Sequence, residues 1–212
     1  MSKSVYSLLL NDEVIELVDK TARVNGFSRS SMIEKILASA LGYETPEIRA
    51  NSIFGEIERL LAQSDTMRYL EQPSNYMASI MSALSYRYNP AIRYSVELFP
   101  KSSHLGQLKV NLRTQNPTLI EHMSDFYRLY AFLEKKYYNE GARHIIDGAK
   151  LTRLFTFPTA PLSAKQLAEH LTVYVKDFDE LLSLYFSNLT NPGAFSIIEK
   201  KFLAQKQNRI II

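Results

Sequence analysis

The stretch that most constrains this chain is Val5 to Leu41, VYSLLLNDEVIELVDKTARVNGFSRSSMIEKILASAL, because Asn25-Gly26 splits two helix-forming runs. A glycine accepts the left-handed conformation that ends a helix, and the asparagine before it tolerates a turn. Ahead of the first run, Tyr6, Leu8 and Leu10 alternate with Val5, Ser7 and Leu9, the period of a strand. Asn11 caps the first helix, and Asp12 and Glu13 favour its positive end. Val14, Leu17, Val18, Thr21 and Ala22 then recur at helical spacing. Ser28 caps a second helix whose stripe is Met32, Ile33, Ile36, Leu37 and Ala40, and Gly42 ends it.

One strand and two short helices bury too little surface to fold alone. A lone strand also leaves its backbone edges unpaired. Pairing with a second copy answers both needs. The expected dimer core is Tyr6, Leu8, Leu10, Val14, Leu17, Val18, Ile33, Ile36 and Leu37.

In this order of elements the segment resembles the ribbon-helix-helix DNA-binding family, which includes the Arc and methionine repressors. Leu10 to Leu41 aligns with that pattern without a gap, with Glu13-Val14, the Asn25-Gly26 turn and Ser28 in equivalent places. The resemblance covers residues 1–42 and implies an intermolecular two-stranded β-ribbon in the DNA major groove. It implies that Val5, Ser7 and Leu9 face base edges. It further implies that Ser28, Arg29 and Ser30 hold a phosphate at a helix start, with Lys3 beside another. Two departures stand out. Val5 and Leu9 are apolar where the family's readers are usually polar, and Asn11 replaces its common proline.

Charge adds a constraint. The 212-residue chain has 25 Lys/Arg and 22 Asp/Glu, a net +3. Between Met1 and Gly42, five basic residues face five acidic ones, so this segment is formally neutral. Non-specific DNA affinity comes from phosphate neutralisation, and a neutral segment supplies little of it.

The absence of cysteine excludes disulfides, thiolate nucleophiles and cysteine-based zinc sites. His104, His122, His144 and His170 are scattered without ligand-like spacing, and neither a metal nor another cofactor is expected. No Gly-rich phosphate loop and no nucleophile with a base and an orienting group is present, so no enzyme is expected. No apolar run is long enough for a membrane span, and the N-terminus lacks signal-peptide character. The expected location is cytoplasmic, at the nucleoid.

Residues 43–51, around Pro46, read as a linker. Residues 52–212 read as a mostly helical domain with a β-hairpin near 92–113. Helices are expected over 52–61, reaching toward Leu70, and over Tyr76–Tyr88, Pro117–Tyr138, Ser163–Phe186 and Ala194–Gln205, with His144–Phe157 ambiguous. The fold class is thus mainly α with small β. Asp177, Asp179 and Glu180 read as a solvated acidic face, and the tyrosines and phenylalanines of the long helices as core. The basic tail ends in Ile210-Ile211-Ile212, expected to dock as an edge strand or on a partner.

Together these readings describe a homodimeric DNA-binding protein, a transcriptional repressor. Its C-terminal domain oligomerises it further or senses a small molecule or a protein partner. The alternatives are an antitoxin-type module whose C-terminal domain binds a protein, and a plasmid-partition DNA-binding protein.

Overall fold

A computed structural model describes residues 5–70, 74–138 and 141–206. Lys3 and Ile210 to Ile212 lie outside the described residues. The chain divides into two compact units, Met1–Thr45 and Pro46–Ile212.

The first unit holds α1 (Asp12–Val24) and α2 (Arg29–Ala40). The caps are those the sequence specifies: the Asn11 side chain accepts from the Glu13 N–H, and Ser28 Oγ accepts from the Ser31 N–H. Gly26 takes φ +68°, and the Phe27 N–H closes the end of α1 on the Ala22 carbonyl. Residues 5–10 belong to no strand, and no ribbon is present among the described residues. The ribbon-helix-helix fold class is thereby corrected. A segment becomes a strand only by hydrogen bonding to another, and the described residues of this unit form no partner strand.

The second unit opens with α3 (Pro46–Leu61), whose first position suits proline because that N–H has no helical partner. The linker expected over 43–51 is therefore shorter. Next come β1 (Met67–Leu70), β2 (Met77–Ala83), β3 (Ala91–Leu98) and β4 (Gly106–Leu112). After α4 (Pro117–Tyr137) follow β5 (Arg143–Asp147), β6 (Lys150–Phe155), α5 (Ala164–Ser187) and α6 (Ala194–Lys206). The strands form one antiparallel sheet in the order β1-β2-β3-β4-β6-β5.

A six-stranded sheet thus replaces the mostly helical domain with one hairpin. The hairpin of β3 and β4 is present, but it is the centre of a larger sheet. Met77, Ile80, Met81 and Leu84 fit a helical stripe, yet residues 77–83 form a strand because both of their edges pair, with β1 and with β3. In β2 two sheet partners override a periodicity that fits two structures. The region 143–155 resolves into the β5–β6 hairpin around Gly148-Ala149, with Gly148 at φ +54°.

Alternation gives the sheet two unlike faces. Ile80, Tyr94, Val96, Leu108, Val110, Leu151 and Phe155 point to the buried side. Phe126 and Tyr130 from α4, Phe178 from α5 and Phe202 from α6 join them in one core, with edge-to-face ring pairs such as Phe126–Phe178 at 5.3 Å. No helix of the described residues is long and apolar enough to cross a membrane.

Candidate nucleic-acid interface

The N-terminal unit is built with its apolar residues outward. Of the expected dimer-core set only Val18 is buried, with Ala22 and Ala38 beside it. Ile33 is half-buried. Tyr6, Leu8, Leu10, Val14, Leu17, Ile36 and Leu37 are exposed, Leu17 to 65% and Tyr6 to 82%. Val14 and Leu17 lie one turn apart on α1, and Ile33, Ile36 and Leu37 lie on one face of α2. A small helical pair leaving this much aliphatic surface in water has a large incentive to cover it, at about 1.5–3 kcal/mol per fully buried side chain.

Val5, Ser7 and Leu9 are exposed on the segment ahead of α1. Ser28, Arg29 and Ser30 form the start of α2, where the Ser28 side chain and carbonyl satisfy the Ser31 and Met32 N–H groups. The Arg29 and Ser30 N–H groups occupy helix positions with no intrahelical acceptor. Arg29 does not project freely. It makes a two-pronged ion pair with Asp19 across the turn, at 2.7 and 2.5 Å. The Arg29 hydrogen bond holds the Asp19 carboxyl below its ordinary value, and the pair lies toward solvent, where such pairs are worth little. Lys35 lies over the Phe27 ring at 3.9 Å and stiffens the same corner.

A second cluster, missed by sequence reasoning, lies inside the C-terminal unit. Glu134 of α4 accepts from Arg153 Nη2 at 2.9 Å, His144 Nε2 at 2.5 Å and the Tyr174 hydroxyl at 3.0 Å. Burial pushes the Glu134 carboxyl up, but the His144 hydrogen bond and the Arg153 charge outweigh it and hold it at about 2. The signal was present: Glu134 falls on the stripe of Tyr127, Tyr130 and Tyr137, and Arg153 on the inward alternation of Leu151 and Phe155.

Asp179 of α5 is also turned inward, accepting from Ser82 Oγ at 2.5 Å and the Tyr94 hydroxyl at 2.6 Å. It does not belong to a solvated acidic face. Burial raises its carboxyl above the ordinary value, against those two hydrogen bonds. Its place among Val175, Phe178 and Leu182 marks the inward side.

Neither cluster brings together a nucleophile, a base and space for a substrate. The described residues contain no group of three or more His, Asp or Glu able to hold a metal. Comparison of the chain with family models, curated proteins and solved structures gave no match. The N-terminal unit therefore stands as the candidate interface on its own geometry, and the buried clusters belong to the interior of the C-terminal unit.

Proposed function

We infer that the chain is a homodimeric DNA-binding protein acting as a transcriptional repressor, with its N-terminal unit serving both dimer contact and DNA contact. The observation that carries this reading is the exposed set Leu8, Leu10, Val14, Leu17, Ile36 and Leu37 on a unit with a minimal core of its own. A second copy presents the same set, and self-complementary burial is how twofold dimers form. Support for DNA comes from the order of capped helix, tight turn and Ser-capped helix. The free N–H groups at the start of α2 would take a phosphate, and Val5, Ser7 and Leu9 would lie along base edges, with Lys3 and Arg29 at the backbone.

Sedimentation of the full chain tests the dimer. The native protein should run at twice the 24.3 kDa chain mass. Leu17→Asp replaces a side chain exposed in the single chain, so each copy keeps its helices while the dimer is lost. A native protein sedimenting as a monomer, or a Leu17→Asp variant that stays dimeric, contradicts this reading.

A further inference from the structure

The face of the sheet turned away from the core carries a set of exposed charged side chains. Register sets Arg68, Met81, Arg93, Asn111, Lys150 and Asp147 in one row across all six strands. With neighbouring strands about 4.8 Å apart, the three cations of that row are spaced about 10 Å from one another. Lys109 stands on the same face in the adjoining row and Arg143 in the row beyond it. All five cations are exposed. Only two acids share the face, Glu97 and Asp147, and Glu97 is already held by Lys109 at 2.8 Å.

We propose that this open sheet face is a second contact for duplex DNA, gripping phosphates while the N-terminal unit approaches the bases. The inference rests on the DNA-binding reading above and adds the surface that reading lacks. The segment Met1 to Gly42 is formally neutral, so the chain's whole excess of three positive charges falls after it. The sheet face alone carries five cations against two acids, which accounts for an excess of that size. Aromatic residues are absent from the face: Tyr69 pairs with Ile80, Tyr94 points into the core, and neither can stack an unpaired base. Single-stranded nucleic acid needs such a stacking platform, whereas duplex phosphates need only placed cations.

The test is fluorescence anisotropy of the full-length native protein and an Arg68→Gln/Arg93→Gln/Lys150→Gln variant, on a labelled 30-base-pair duplex over a NaCl series. The three side chains are exposed, so the melting temperature should stay unchanged. The logarithm of affinity against that of salt should lose about 0.9 in slope per phosphate contact removed, a fall of two to three. Affinity should drop by a similar factor on duplexes of unrelated sequence. A native protein that binds with a variant of unchanged slope leaves the DNA reading standing. It assigns the face to another occupant, an acidic protein or a second copy, and overturns this inference. A native protein that binds no duplex at low salt overturns both.

Discussion

Glu134 and Arg153 form an ion pair at 2.9 Å with each side chain only 3% exposed, at the junction of α4 and the β6 strand. Such a pair adds little net stability over an apolar replacement, but breaking one side leaves an uncompensated charge at a cost of about 3–5 kcal/mol. Glu134→Gln should therefore lower the melting temperature by roughly 10 °C in a domain of this size. Replacing Glu134 and Arg153 together by leucine and methionine should cost much less than the sum of the single changes. Thermal denaturation of the four proteins reads this coupling directly, and additive losses would show that the pair does not act as a unit.

The same carboxylate sets a pH dependence. Its value is about 2 in the folded chain against an ordinary 4.5, so it is a depressed acid. Its stabilising contribution is full above pH 4.5 and is lost as pH falls toward 2. Urea titrations over that window should show falling stability in the native protein and a flatter curve in Glu134→Gln.

Asp179 predicts the opposite slope. Its carboxyl is raised in the folded state, so it favours the fold when protonated and loses that contribution as pH rises through its folded value. Asp179→Asn keeps a polar side chain facing Ser82 and Tyr94 but carries no charge to bury. The variant should match or exceed native stability at pH 7, and should be affected less than the native protein by a rise from pH 4 to pH 7. A loss of several kcal/mol at pH 7 would mean that the ionised form is the one these hydroxyls need.

Gly106 opens β4 opposite Leu98, and a Cβ there would run into the Glu97 carbonyl of the neighbouring strand. Gly106→Ala has backbone rather than a flexible side chain to displace, so β3 and β4 must separate at that end. Amide exchange should report loss of protection across residues 95–98 and 106–108, with a stability loss of about 1–3 kcal/mol. Unchanged exchange would show that the strand end yields at no cost.

The helices were legible because capping and periodicity coincide. Asn11, Ser28 and Ser163 each cap a helix start, and Asn116 with Pro117 does so for α4. The central hairpin was legible from alternation in β3 and β4. β2 was not, since Met77, Ile80, Met81 and Leu84 satisfy two periods and only pairing on both edges decides. β1 and the β5–β6 hairpin are short and draw their stability from neighbours far along the chain, which local pattern does not register. In the candidate interface, the sequence located the capped turn and the apolar set. It did not foresee that Arg29 pairs with Asp19, because a charge pair across a turn leaves no periodic trace.

The claim that this chain binds duplex DNA as a symmetric dimer is tested most directly by selection from a random-sequence duplex library with the full-length protein at about 1 µM and low salt. The native protein should enrich a motif with twofold symmetry, and Leu17→Asp should enrich none. Ser30→Glu, with its charge at the start of α2, should retain the motif at reduced affinity. Failure of the native protein to enrich any sequence or to retain duplex above background would contradict the account.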